Sequence, residues 1–303
     1  MSRLALSPRT YARVTLVALI ALAAIVVTGA GVRLTGSGLG CPDWPTCAEG
    51  RLVAPLEYHA MVEFLNRTVT GLVSLAVMLA VLGSLIRRPR RRDLTWLSLG
   101  LVAGVLGQIV LGGLVVLFHL WPPLVMGHFV LSMILLLNAA VLHHRASQPD
   151  GAVMTLAVAP EHASIGRVLV VAASIVILLG TVVTGSGPHA GSHDGELVER
   201  LPFELETVAR LHGISVLIFL GLTLFLLRSL RASGAAPIVL RRATALLVVI
   251  VAQGAIGYSQ YFLGVPAGLV ALHIAGSIAV WLATLELVLD MKVAVAERVA
   301  VAA

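Results

Sequence analysis

The sequence predicts an all-α integral membrane protein whose eight transmembrane helices form two tandem four-helix bundles. The mean hydropathy is +0.99 and only 12% of the 303 residues are charged, about half the share that is usual in soluble domains. Apolar runs of about 20 residues recur, each long enough for a helix to cross roughly 30 Å of hydrocarbon. The two halves of the chain also repeat one another's polar positions at a nearly constant offset.

This internal repeat is clearest around two histidines that lie inside long apolar segments. His128 and His273 are 145 positions apart. At offsets of 145 to 149 the other repeated pairs are Gln108 and Gln253, Gly112 and Gly257, Asn66 and His212, and Thr35–Gly38 and Thr184–Gly187. The chain is therefore predicted to hold two copies of one unit, with polar side chains inside the membrane as the repeated feature.

The hydropathy pattern predicts the spans in order. They lie at approximately 13–34, 61–86, 94–118, 123–143, 164–185, 206–229, 242–262 and 266–290. The first span is too long for a signal-peptide core and lacks a cleavage site, so we expect it to stay as a helix. Segments of this length must be helices, because barrel strands need only about 10 residues. Residues 1–145 form the predicted N-terminal half, 146–163 a cytoplasmic linker and 164–303 the C-terminal half.

The arginines predict the orientation of the chain. They cluster at 87–92 and 228–242, in short loops between spans, and such loops face the cytoplasm. Both termini are then cytoplasmic, and the halves run in the same direction, related by a pseudo-twofold along the membrane normal. The net charge of +6 therefore reflects the orientation of the chain in the membrane. We expect the protein to contact the lipid bilayer and not nucleic acid. Arginine supplies 20 of the 21 basic residues, which suggests a GC-rich bacterial gene and a plasma-membrane location.

His212 and His273 are predicted to bind one haem iron axially in the C-terminal half. Both lie at matched depth near the outer face, and neutral imidazole is a common axial ligand of haem iron. The alternative is two unrelated histidines, each hydrogen-bonded to backbone or water. A zinc site is disfavoured, because no cysteine or carboxylate lies at that depth in this half to complete the ligands that zinc requires.

The N-terminal half carries Asn66 and His128 at the equivalent positions. Amide oxygen is a poor ligand for haem iron, so we expect this half to hold haem through His128, more loosely or with one open iron face. The asymmetry suits one retained haem and one reacting haem. Glu63 precedes Asn66 by one turn on the same helix face. A carboxyl there is costly unless it is paired or functional, so a salt bridge to Arg67 and a catalytic role are both open, and they are compatible.

Two arginines and two cysteines complete the candidate residues. Arg67 and Arg210 flank Asn66 and His212; each either extends to the membrane interface or pairs with haem propionates. Cys41 and Cys47, the only cysteines, share one outer loop, which suggests a disulfide. That bridge is either a structural staple or a reactive dithiol pair near the N-terminal haem.

Taken together, these features resemble the haem A synthase family. That family has eight spans in two halves, a cysteine pair in the first outer loop and a Glu-x-x-His-Arg motif on span two. Here the motif reads Glu63, Asn66 and Arg67, with Asn in place of the usual His. The family's three other histidines match His128, His212 and His273. The resemblance covers essentially the whole chain, and it is the combination of features that is specific.

The resemblance implies oxidation of the C8 methyl of haem O to a formyl group, which gives haem A. A haem B bound by His212 and His273 would pass electrons, and the N-terminal half would hold haem O, with Glu63 assisting at the reacting methyl. A farnesylated haem is best exchanged sideways in the bilayer. The expected partners are therefore haem O synthase and the assembling cytochrome oxidase, and a homo-oligomer is left open.

Two other functions are open on the sequence. A cytochrome b-type electron carrier with two histidine ligands explains His212 and His273 equally well, although it does not explain Glu63 beside Asn66. A haem transporter without redox chemistry is the second alternative.

Overall fold

A computed structural model describes residues 5–48, 50–193 and 198–295 of the chain. Within these residues lie eight helices that are long and apolar enough to cross a membrane. They are α1 Pro8–Leu34, α2 Tyr58–Ile86, α3 Arg92–Leu117, α4 Pro122–Ser147, α5 Pro160–Ser186, α6 Leu205–Ala232, α7 Pro237–Phe262 and α8 Ala267–Asp290. The prediction of eight helical spans is confirmed, and all helices except α8 extend by one to five residues beyond one or both ends of the predicted apolar segments.

The helix starts explain most of this extension. Four helices begin at a proline, namely Pro8, Pro122, Pro160 and Pro237. Proline suits the first helical position, because its missing N–H would have no intrahelical partner there. At α1 the hydroxyl of Ser7 also accepts a hydrogen bond from the backbone N–H of Thr10 at 3.2 Å. Such capping residues are polar or helix-breaking, so hydropathy alone places these helix starts too late.

The helices pack as two rings of four. In the first ring α1 contacts α2 and α4, and α3 contacts the same two helices; α5 to α8 repeat this arrangement. The rings meet along a seam at which α4 lies against α5 and α8, and α1 lies against α8. The indole Nε1 of Trp281 on α8 donates across it to the carbonyl of Met133 on α4 at 2.9 Å. The predicted pair of tandem bundles is therefore the fold of the protein.

The two rings also share an unusual turn. We call the end of the molecule at which α1 ends and α2 begins the upper end, and the opposite end the lower end. At the upper end the chain enters α4 through His119 and Leu120, with φ of 49° and 60°, and enters α8 through Gly264 and Val265, with φ of 76° and 59°. These positions are equivalent at the offset of 145. The repeat therefore extends to positive φ angles, which residues other than glycine rarely adopt.

The linker between the bundles differs from the all-α prediction. Its residues Val153–Leu156 form strand β1, which pairs antiparallel with strand β2, Lys292–Val295, directly after α8. Each strand has four residues and every β1 side chain is exposed, so neither shows the alternation by which a strand is recognised in a sequence. The linker also carries Asp150, which pairs at 2.7 Å with the fully buried Arg87 at the end of α2.

Candidate functional site

The second bundle brings His212 on α6 next to His273 on α8. Their ring centroids lie 6.4 Å apart with the ring planes at 77°. Nδ1 of His212 lies 3.1 Å from the carbonyl of Val176 on α5. A carbonyl only accepts, so this contact assigns the proton to Nδ1 and leaves the lone pair on Nε2. Both rings are half-buried, and the two predicted ligands are neighbours in the folded protein.

The spacing of these rings fits two axial ligands on one iron. A metal–imidazole bond is about 2.0 Å, and a ring nitrogen lies about 1 Å from its ring centre, so two imidazoles on opposite sides of one metal have centroids roughly 6 Å apart. No cluster of three or more His, Cys, Asp or Glu side chains occurs in the described part of the chain. Two imidazoles alone suit a group that brings its own equatorial donors, as a porphyrin does.

A glycine on a neighbouring helix lies beside each of the three candidate histidines. A Cβ built on Gly180 would lie 3.3 Å from Cε1 of His212, and one on Gly257 would lie 3.1 Å from Cε1 of His273. In the first bundle Gly112 stands in the same relation to His128, at 3.3 Å. Each imidazole edge therefore lies directly against a helix backbone. The repeat of Gly112 and Gly257 was visible in the sequence, whereas the role of Gly180 was not.

The repeated glutamines hold the histidine-bearing helices. Nε2 of Gln253 on α7 donates to the carbonyl of His273 on α8 at 2.8 Å. Nε2 of Gln108 on α3 donates likewise to the carbonyl of His128 on α4 at 3.1 Å, and to Oγ of Ser132 at 2.7 Å. These bonds tie each histidine's backbone to the preceding helix, which gives a physical reason for the repeat of Gln108 and Gln253.

The first bundle departs from this pattern at Asn66. Its Oδ1 accepts a hydrogen bond from Oγ1 of Thr28 on α1 at 2.8 Å. Gly31 on α1 corresponds to Gly180 at the offset of 149. A Cβ built on Gly31 would have no atom from outside its own helix backbone within 4 Å. The space that the edge of His212 takes beside Gly180 is therefore not taken by a side chain beside Gly31. The first bundle offers His128 as its one imidazole at the repeated positions.

The buried Glu63 and the half-buried Arg67 form an ion pair on α2 that holds the preceding loop. Glu63 is 5% exposed; its Oε1 accepts from Nη2 of Arg67 at 2.6 Å, and its Oε2 accepts from the backbone N–H of Cys41 at 2.8 Å. The Arg67 guanidinium also donates to the carbonyls of Cys41, Asp43 and Thr46 at 2.8 to 3.2 Å. The salt bridge that the sequence allowed is present, and it joins α2 to the cysteine loop.

That loop folds over the upper end of the first bundle. Cys41 and Cys47 form a disulfide, as predicted, and both are buried. A Cβ on Gly40 would lie 2.2 Å from the carbonyl oxygen of His59 at the start of α2, so only glycine allows this approach. The indole of Trp44 packs on Gly113 of α3, where a Cβ would lie 2.7 Å from the ring. The loop therefore spans from α2 to α3 above the bundle.

The remaining predicted site residue, Arg210, and two further arginines lie at the upper end of the molecule. Arg210 is exposed and pairs with Glu206 on the same helix. Arg33 on α1 and Arg200 before α6 instead reach inward, and both donate to the carbonyl of Thr184 on α5. The sequence analysis did not single out these two; the available signal was an arginine two residues before the repeated Thr35–Gly38 segment.

Comparisons with known proteins show which family the chain resembles. The model of a family described as "Cytochrome oxidase assembly protein" (COX15-CtaA) matches residues 12–285. Proteins named haem A synthase are similar to parts of the chain. The protein of Geobacillus kaustophilus is 34% identical over 34% of this chain and 32% of its own length. That of Geobacillus thermodenitrificans is 32% identical over 45% of each chain. That of Shewanella oneidensis is 30% identical over 44% of this chain and 46% of its own.

The aligned part covers less than half the length of each of these curated relatives, whereas the family model extends over nearly all of the eight helices. It includes α2 with its Glu63–Arg67 pair and the helices that carry His128, His212 and His273. On the extent of this match, the chain belongs to the COX15-CtaA family of cytochrome oxidase assembly proteins.

Proposed function

We propose that the protein is a haem A synthase, an oxidoreductase that converts the C8 methyl of haem O into a formyl group to supply haem A for terminal cytochrome oxidase. The observation that carries the proposal is the contrast between the bundles. One bundle pairs two imidazoles at a spacing that fits an iron between them. The other has a single imidazole at the repeated positions and a buried carboxylate one turn from the position of the missing one.

In this proposal His212 and His273 hold haem B in the second bundle. A haem with two imidazole ligands supplies one-electron transfer when it is bound. Neighbouring helices fix these two histidines. The Val176 carbonyl orients the ring of His212, and Gln253 on α7 binds the backbone carbonyl of His273. Contacts of this kind around a ligating histidine set the tautomer and the orientation of the ring.

The first bundle receives haem O in this proposal. His128 supplies the imidazole, and Gln108 fixes the helix that carries it. Asn66, held by Thr28, occupies the place of a second ligand without being a good one, so the substrate is bound less firmly than the retained haem. The loop of Cys41 and Cys47 covers the upper end of this bundle, and it keeps bulk water from the reacting part of the substrate.

Glu63 is the proposed catalytic residue. Turning a methyl into a formyl group inserts one oxygen atom and removes four electrons. With water as the oxygen source the balance is R–CH3 + H2O → R–CHO + 4 H+ + 4 e−: the electrons leave through the haem of the second bundle, and a carboxylate near the methyl accepts protons as they leave. Each oxygen of the Glu63 carboxylate can accept two hydrogen bonds, and Oε2 accepts one from Cys41. The backbone N–H of Gly40 also bonds to this carboxylate, so the loop before α2 holds the group in place. Arg67 offsets the carboxylate charge at this buried place and holds its orientation.

The same proposal gives the membrane orientation and the partners. Most arginines outside the spans lie at the lower end, which we propose to be the cytoplasmic side of a bacterial plasma membrane. The two chain ends, at 1–4 and 296–303, lie outside the described residues, and we propose that both are cytoplasmic. Haem O synthase would deliver the substrate and the assembling oxidase would take the product, both through the lipid phase.

The test is to express the protein in a host that supplies haem O and to identify the extracted haems by mass spectrometry. We expect haem A from the wild type together with a low-spin haem spectrum. His212→Ala and His273→Ala should abolish that spectrum, because a single imidazole remains.

Two results would contradict the proposal. Fully loaded protein that contains haem B and never forms haem A would point to an electron carrier. Protein without any low-spin haem spectrum, when haem is plentiful, would point to a transporter.

A further inference from the structure

Two arginines from different bundles meet at the seam at the upper end. Nη2 of Arg33, in the last turn of α1, donates to the carbonyl of Thr184 at 3.1 Å, and its Nε donates to the carbonyl of His189 at 2.9 Å. Nη2 of Arg200 donates to the same Thr184 carbonyl at 2.6 Å and to that of Gly187 at 2.5 Å. The two guanidinium groups therefore share one acceptor at the end of α5.

Among the residues that the structure describes, these guanidinium groups have no negative counter-charge. Neither arginine forms an ion pair with an Asp or Glu in the described part of the chain. Nε of Arg200 is buried and has no hydrogen-bond partner among the described residues, and burial lowers the pKa of this guanidinium. The final carbonyls of a helix attract cations, but they are dipoles, so the described residues leave two formal positive charges side by side. Such an arrangement is costly unless an anion joins it.

The position of the pair identifies which anion it would meet. Thr184 lies four residues after Gly180 on α5, which places it about 6 Å higher along the helix. Gly180 is the residue against which the edge of His212 packs. The guanidinium groups thus lie about one helical turn above the imidazoles, at the upper rim of the haem site proposed for the second bundle.

We propose that Arg33 and Arg200 form a carboxylate-binding site that holds the propionate groups of the haem carried by His212 and His273. The inference rests on the proposed function and adds the residues that bind the polar edge of that haem. Guanidinium groups suit this role because their planar fork matches a carboxylate with two hydrogen bonds. Arg33 belongs to the first bundle, so a residue of the first bundle also binds the haem of the second bundle.

The test compares haem B with haem B dimethyl ester, whose propionates are esterified and carry no charge. Full-length protein is loaded with each compound, and the rate of transfer to excess apomyoglobin is measured. The ester should leave the wild type roughly tenfold to a hundredfold faster than haem B, the range for hydrogen bonds to a charged group. In Arg33→Met and Arg200→Met haem B should leave faster, and the difference between the two compounds should shrink towards none.

The ester comparison separates binding of the carboxylate from a general loosening of the fold, since loosening speeds the loss of both compounds equally. Arg33→Lys and Arg200→Lys should restore part of the difference, because they keep the charge and lose the fork. Arg210→Met is the matched control at the same end of the second bundle, and we expect it to behave as the wild type.

The inference is overturned if haem B and its ester leave the wild type at equal rates, or if their difference survives in both Met variants. It is also overturned if Arg210→Met alone removes the difference, which would support Arg210 as the propionate partner. In each of these cases a normal low-spin spectrum leaves the proposed function standing. Absence of that spectrum with either compound would instead overturn the proposed function, and this inference with it.

Discussion

Asn66 shows how much one side chain can decide. The second bundle places His212 at the equivalent position, with its edge against Gly180 and its Nδ1 on the Val176 carbonyl. In the first bundle Asn66 is too short to reach an iron in the same way, and it bonds to Thr28 on α1 instead. Two nearly equal bundles thereby present different side chains at equivalent positions, and the proposed function requires such a difference between a retained and a reacting haem.

Asn66→His should give the first bundle a second imidazole. Gly31 leaves room for the ring edge, because a Cβ there meets no other protein atom within 4 Å, and the lost bond to Thr28 is worth only about 1 kcal/mol. We expect a second low-spin haem per chain, counted by electron paramagnetic resonance against total haem. Asn66→Gln, which adds length without an imidazole, is the control; an unchanged low-spin count in Asn66→His would disprove the expectation.

Glu63→Ala should separate haem binding from catalysis. The variant keeps His212 and His273, so the low-spin spectrum should persist, while the yield of haem A should fall roughly 100-fold or more with the loss of a general base. It also leaves Arg67 without its carboxylate partner, although Arg67 keeps its bonds to three loop carbonyls. Glu63→Gln keeps the size of the side chain but removes the charge and places an NH2 donor against either Arg67 or the N–H of Cys41, and it should also lack product. A normal haem A yield in either variant would remove Glu63 from the mechanism.

At the scale of elements, glycines set how closely the helices lie to the histidines. Gly112, Gly180 and Gly257 each bring a backbone against an imidazole edge, and glutamines cross-link the same helices. A helix glycine is otherwise unfavourable by about 1 kcal/mol relative to alanine. Its presence beside all three histidines indicates that ring position is worth more here than helix stability.

Gly257→Ala should displace the ring of His273. Its new Cβ would lie 3.1 Å from Cε1, and overpacking of this kind costs about 1–3 kcal/mol. We expect a shifted low-spin spectrum and faster haem loss, measured by absorption spectroscopy. Gly254→Ala, one turn earlier on α7, is matched in chemistry but would meet no atom within 4 Å, and it should leave the spectrum unchanged. Equal effects of the two substitutions would contradict this account.

At the scale of the whole molecule, the seam holds the two bundles in one fixed arrangement. It is formed by α1 and α4 against α5 and α8, with the Trp281 bond at its centre and the Arg33 contacts at its upper end. At the lower end β1 of the linker pairs with β2 after the last helix, so the connection between the bundles is fastened to the end of the second. The electron transfer between two haems that we propose would require such fixed placement.

Trp281→Phe should loosen the seam without touching either haem site. The variant keeps the aromatic packing but leaves the buried Met133 carbonyl without the indole donor, which costs about 1 kcal/mol. We expect a lower midpoint of thermal unfolding and an unchanged haem spectrum. Trp96→Phe is the control, since Trp96 is 73% exposed on the bundle surface. A midpoint that falls equally in both variants would argue against a role for the seam bond.

The sequence by itself determined the eight helices, their division into two bundles and the positions of the repeated histidines. Hydropathy, helix length and an internal repeat are properties of the chain read in order, and they need no knowledge of neighbours. They also placed Glu63 beside Arg67, because residues four apart share a helix face, and they paired the only two cysteines.

Only the tertiary structure decided which distant residues meet. Gly180 against His212, Arg33 with Arg200 on Thr184, and β1 with β2 all join segments whose proximity follows from helix packing. Packing depends on shape and close contact between whole faces, and no local pattern records it. The repeat therefore predicted where the histidines lie along the chain, whereas the contacts that orient them emerged only from the folded bundles.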